Sequence, residues 1–264
     1  MIYMKTSPVT YDFPANELVR VCMGLEFYAR RLESLVESSS PQDQVACWDI
    51  MAKILLMLER HDLRNKFIRF FRSASHYLKI FLNYPNVDKH FIDERLDLFN
   101  RWSLRLYEQE SLFAEGFLAN PFLQMLKHRI GKQDTAAIDY TCPYMQCWLQ
   151  SGLESRVRDL RLLLKQLSTL FDLSKMVLCF LRENKAEVAG NSENGYFQYN
   201  HANLSQQLYL IGVHLQEDDV VPVATISHKN VFLRFFYMDK KGKFSHFAKP
   251  VLRRVSFNLV VGVV

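Results

Sequence analysis

The sequence predicts an α+β fold, with a helical, bundle-like body over residues 1–188 followed by an antiparallel β region over residues 189–264. Two observations carry that reading. Near Ala189 the hydrophobic period changes: apolar side chains recur every three to four positions up to that point, and short segments alternating apolar with polar positions follow. The 264 residues also include only nine glycines and eight prolines, sparse for an all-β or loop-rich fold and suited to long helices with few turns. The β region carries a charge cluster as well. Between His228 and Arg254 stand Lys229, Arg234, Lys240, Lys241, Lys243, Lys249, Arg253 and Arg254 against a single acid, Asp239. A helical body with a basic β module points to binding and not to catalysis.

The elements follow in order. Pro14-Ala15-Asn16 is a helix start, and Leu18, Val21, Leu25, Tyr28, Leu32 and Leu35 advance in alternating steps of three and four, a narrow apolar seam. Ser38-Ser39-Ser40-Pro41 ends it. A second helix presents Val45, Trp48, Met51, Leu55 and Leu58 on one face and stops near His61. Leu63, Phe67, Phe70, Tyr77 and Phe81 indicate a third, closed by Asn83-Tyr84-Pro85 because proline pushes its predecessor out of helical geometry. A fourth runs from Asp88 to about Tyr107, and Pro121 opens a short helix to Ile130 before the loop from Gly131 to Thr135. The last long helix carries Leu153, Val157, Leu160, Leu164, Leu167 and Phe171, with Arg156, Arg158, Arg161 and Lys165 off the seam. Two such seams suit a bundle, packed inside one subunit or between two.

Ala189 to Gly195 is turn-rich and reads as a linker. Strands are expected at about 206–215, 221–226, 230–238, 244–247 and 252–261, with Asp239 to Gly242 as a hairpin turn. In the third of these, Phe232, Arg234 and Phe236 share one face and Val231, Leu233 and Phe235 the other. Arg234 is thereby placed among aromatics.

Composition excludes several classes. A hydrophobic fraction of 49% and a charged fraction of 23% are those of a globular chain, and +5 net charge is too mild for a nucleic-acid polyelectrolyte. Cys22, Cys47, Cys142, Cys147 and Cys179 are scattered without a CxxC pair and read as reduced thiols in cytoplasm. The start, Met1 to Lys5, lacks the pattern of a signal peptide, and the apolar end from Val255 to Val264 is interrupted by Ser256 and Asn258. No membrane span and no membrane partner are expected.

No GxGxxG, GxxxxGK, GxSxG or HExxH occurs, and His61, His76, His90 and His128 fall on or beside different helices with no i, i+4 pair for zinc. Cys142 and Cys147 have no sequence-local base, and Glu217-Asp218-Asp219 reads as a hydrated turn. No cofactor, metal or catalytic residue is assigned. Lys240, Lys241 and Lys243 protect a strand edge on the simplest reading. Arg234 is either an arginine stem covering a core edge or the floor of an anionic-ligand site, and it needs a carboxylate partner, internal or brought by another molecule.

Several stretches together resemble the ZapD family, cytoplasmic bacterial division factors that bind the tubulin-like protein FtsZ. They are Leu25-Glu26-Phe27, Leu58 through Arg64, Pro143 with Trp148-Leu149, Asn194-Gly195-Tyr196-Phe197-Gln198, and His228-Lys229 before Phe232-Leu233-Arg234-Phe235, spread over about residues 15 to 260. The resemblance implies a helical domain followed by a β-sandwich-like domain, and a symmetric homodimer joined through its helices. It further implies that each subunit takes the C-terminal tail of FtsZ into a basic pocket, so that a dimer crosslinks and bundles filaments at the division site. No enzymatic step, small-molecule substrate or nucleic acid is involved.

By position, Arg60 is similar to the arginine of the family's Glu-Arg-Gly/His motif, and Arg234 to the second arginine of its pattern His-Lys-x-Arg-Phe-x-Ile-Arg-Phe. The first arginine of that pattern is missing, since His228-Lys229 is followed by Asn230-Val231, and Gly24 stands where a first-helix arginine is common, with Arg20 one turn earlier. The expected partner-binding set is Arg60, Arg64, His228, Lys229 and Arg234. Two rival readings are nucleic-acid binding through segment 228–254, which predicts steep salt dependence, and an enzyme with an unfamiliar site.

Overall fold

A computed structural model describes residues 9–60, 62–108, 115–131, 141–201, 207–217, 219–238 and 249–264. His61, the loop from residue 132, the hairpin turn at Asp239–Gly242 with Lys240, Lys241 and the following Lys243, and the strand expected at 244–247 lie outside the described residues. The chain forms two compact units. One comprises Val21–Leu178, and the other Met1–Arg20 with Cys179–Val264. The architecture is α+β, with a helical region followed by antiparallel sheets.

The helical unit follows the apolar periodicity closely at its start. α1 spans Glu17–Leu35 and is capped by Asn16, whose Oδ1 accepts from the Val19 N–H at 3.0 Å. α2 spans Pro41–Arg60, α3 Leu63–Phe81 and α4 Lys89–Glu108. α3 opens at Asp62, which accepts from the Asn65 backbone. It buries Phe67, Phe70 and Phe71 completely, and Phe71 stacks on Phe99 of α4 at 5.3 Å between centroids. α5 (Glu115–Leu118), α6 (Pro121–Gly131) and α7 (Pro143–Leu149) are shorter. Trp48 of α2 meets Phe122 at 4.5 Å and Trp148 at 5.4 Å, both edge to face, and the Trp148 indole donates to Asp159. Within the motif of Pro143 with Trp148, the tryptophan is therefore a packing residue.

The long helix expected through Phe171 is two. α8 spans Leu153–Gln166 and α9 Ser168–Glu183, parted at Leu167, whose N–H reaches back to the Leu164 carbonyl at 3.0 Å. That is a tightened, 3₁₀-like turn, and neither glycine nor proline announces it. The two seams differ in burial. Leu18, Val21, Leu25 and Leu32 are buried within the chain, whereas on α8 Leu153 is exposed and Val157 and Leu164 only half-buried.

The β unit contains a strand that the sequence reading lacked. β1, Val9–Pro14, lies where no element was expected, and the expected helix start follows it directly at Asn16. The turn-rich stretch from Ala189 is also corrected: β2 runs over Lys185–Asn191, and the turn contracts to Asn194 and Gly195. Gly190 is needed there because the Phe257 ring stands 2.5 Å from where a β-carbon would be. β4 (Leu208–Leu215), β5 (Val220–Ile226) and β6 (Asn230–Tyr237) fall on three of the expected strands, β3 (Tyr196–Asn200) is a further strand that was not expected, and β7 is only Lys249–Pro250. β8 covers Ser256–Val263 instead of 252–261.

The strands form two antiparallel sheets, one in the order β1-β4-β8-β2 and one in the order β3-β6-β5 with β7 beside β6. Central β8 is apolar through Leu259-Val260-Val261 because both its faces are covered. The facing sides share one core: Ile211, Val213, Leu259 and Val261 from the first sheet and Val231, Leu233 and Phe235 from the second. The Phe257 ring meets Phe197 and Phe235 at 5.0 Å each. This is a sandwich.

Candidate functional site

β6 positions Arg234. Its odd-numbered residues Val231, Leu233 and Phe235 are buried in the sandwich, so pleat alternation sends Phe232, Arg234 and Phe236 to the outer face. Register adds the lateral neighbours: Arg234 lies opposite Tyr196 of β3 and Val223 of β5, and Phe232 opposite Gln198 and Thr225. Tyr196 and Val223 are 41% and 50% exposed, and Phe232 stacks on Tyr196 with centroids 6.3 Å apart. Arg234 is itself exposed. Among the described residues no carboxylate pairs with it. The result is an open strip with a free cation at its centre and rings on both sides.

His228 and Lys229 form the two-residue tip of the β5–β6 hairpin. Ser227 donates its N–H to the Asn230 carbonyl at 2.8 Å, and its hydroxyl accepts from the Asn230 N–H at 3.1 Å, closing the turn. The Lys229 carbonyl accepts from His201, and both tip side chains are exposed. Four steps along the strand take Asn230 to Arg234, about 13 Å.

The remaining expected residues belong to the helical unit. Arg60 is the last residue of α2. Arg64 is already engaged: its Nε and Nη2 donate to the carbonyls of Leu106 and Tyr107 at 2.5 and 2.6 Å, satisfying the end of α4. The structure therefore groups His228, Lys229 and Arg234 on one hairpin and gives Arg64 a capping contact.

Sequence reasoning missed the strip's edges, Tyr196 and Val223, and a clamp. Arg253, counted in the basic cluster, donates to both carboxylate oxygens of Glu217 and to the Tyr237 hydroxyl at 3.0 Å. The Glu217 hydrogen bonds, then that of Tyr237, hold its guanidinium more firmly protonated than usual. Arg253 is thus committed internally, which weakens the reading of 228–254 as one phosphate-facing patch.

Long helices joined to a β sandwich make up the fold that carries this exposed strip, and the relatives of the chain place it among cell division proteins. The sequence model described as ZapD, a cell division protein, matches residues 23–234. The chain belongs to the ZapD family of cell division proteins. It is 24% identical over 257 residues to the cell division protein ZapD of Coxiella burnetii (strain RSA 331 / Henzerling II), covering 97% of this chain and 98% of the relative. It is 22% identical over 256 residues to that of Yersinia enterocolitica, covering 96% and 97%, and 23% identical over 190 residues to that of Chromobacterium violaceum, covering 72% and 75%. Among the described residues no helix is long and apolar enough to cross a membrane.

Proposed function

We propose that this chain is a non-enzymatic, cytoplasmic division factor that binds the C-terminal tail of FtsZ and, as a homodimer, crosslinks filaments at the division ring. The observation that carries the reading is the exposed Arg234 guanidinium, without a carboxylate partner among the described residues, set between Tyr196, Val223, Phe232 and Phe236. A short tail mixing carboxylates with apolar side chains gains charge-assisted hydrogen bonds from such a cation and burial against the rings. Lys229 lies about 17 Å along the same hairpin from Arg234, a span that about five extended residues cover, and with His228 it extends the contact. Arg60 is the proposed second arginine, and Arg64 acts by positioning α3 against α4. The missing strand arginine leaves more of the charge to Arg234. One weak contact suffices, because a dimer engaging one polymer strand with each site gains roughly 10²–10⁴ in avidity.

The test is charge reversal. Arg234→Glu abolishes co-pelleting with FtsZ polymers while light scattering still reports the dimer. Pelleting at the wild-type level removes Arg234 from the site.

A further inference from the structure

The helical unit carries another cationic surface, independent of the tail reading. α3 contains Arg64, Lys66, Arg69, Arg72, His76 and Lys79 and not one aspartate or glutamate. Its buried face holds Leu63, Phe67, Phe70, Phe71, Ala74 and Leu78. Arg69, Arg72, His76 and Lys79 recur in steps of three and four on the opposite side, and all are exposed. Among the described residues no carboxylate forms an ion pair with Arg69, Arg72 or Lys79. Asp62, at the start of the helix, is the acid that senses Arg69 and Lys66 through space.

Neighbouring α4 behaves otherwise. There the exposed Lys89, Arg101 and Arg105 are interspersed with Asp93, Glu94, Asp97 and Glu108, so that its charge is mixed although Phe91, Leu104 and Tyr107 are also exposed. The line on α3 is unmixed and ends in apolar side chains: Ile80 is 43% exposed, and Tyr84, just past the helix, 56%.

We propose that this face of α3 docks on an anionic lipid surface, with Arg69, Arg72 and Lys79 over the headgroups and Ile80 and Tyr84 entering the interface. The cations span ten residues, about 15 Å of helix, which suits a spread array of negative charge better than one compact ligand. Aromatic and aliphatic side chains gain by entering the membrane boundary, whereas a nucleic-acid backbone would satisfy the cations and leave Ile80 in water. Docking of this kind needs no spanning helix. Each cation near such a surface changes partitioning by about fivefold.

The full chain is sedimented with vesicles of phosphatidylcholine containing about one-third phosphatidylglycerol, and with phosphatidylcholine alone. Expected is binding to the anionic vesicles only, released by salt. The triple variant R69E/R72E/K79E should lose roughly a hundredfold, and I80S/Y84S should weaken binding severalfold while its salt dependence stays. Should the triple variant not fold by circular dichroism, R72Q carries the test with about a fivefold loss. Equal binding to both vesicles, binding to neither, or wild-type partitioning of a folded charge variant overturns the proposal. So does charge-dependent capture of a DNA duplex without vesicle binding.

Discussion

Gly195 has a φ of 70°, and a β-carbon there would stand 2.0 Å from the Val251 carbonyl oxygen. Its own carbonyl accepts from Phe235 at 2.9 Å, so this turn ties the start of β3 to β6 beside Arg234. Gly195→Ala combines left-handed strain with a backbone clash and should cost at least about 1–3 kcal/mol, read as a lowered urea midpoint. Asp62 is a second local device. The Asn65 side chain first, and its backbone N–H less strongly, hold the Asp62 carboxyl below its ordinary value. A carboxyl lowered on folding contributes stability above its unfolded value and loses it as pH falls through the folded one. Asp62→Ala should therefore cost about 1 kcal/mol at neutral pH, and the difference from wild type should shrink in urea melts near pH 3. At this scale the aromatic setting of Arg234 was legible, since strand alternation alone puts Phe232 and Phe236 on its face. Tyr196 and Val223 were not, because pairing register is set by strands distant in sequence.

Elements were legible where a local signal existed. The first four helices stand out through period, caps and proline, and β5 and β6 through alternation and a two-residue turn. What escaped had no local signature. β1 exists because β4 offers it a partner some two hundred residues later, pairing Val9 with Leu215 through Pro14 with Leu210. β2 contains Gly190 and polar residues that mimic a turn, and becomes a strand because β8 pairs along its length. The break at Leu167 has neither glycine nor proline to mark it. Arg64 shows the same limit, since its acceptors lie 42 and 43 residues downstream. Its two charge-assisted bonds latch α3 to the end of α4. Arg64→Met, which keeps the apolar stem, should lower stability by about 1–3 kcal/mol in thermal or urea melts. An unchanged melt would return Arg64 to the list of side chains free for a partner.

At the level of the whole molecule, the two units divide the labour as proposed. On that reading the sandwich displays the strip around Arg234 and the helical unit joins a second subunit, Leu153 of the α8 seam being 40% exposed. Crosslinking then needs only two tail sites in one assembly, each individually weak. The most direct measurement sediments FtsZ polymers with this protein present, comparing full-length FtsZ with FtsZ lacking its C-terminal tail. The account predicts bundles and co-pelleting with full-length FtsZ and neither with the tail-deleted form. Equal bundling of both, or of neither, would contradict it.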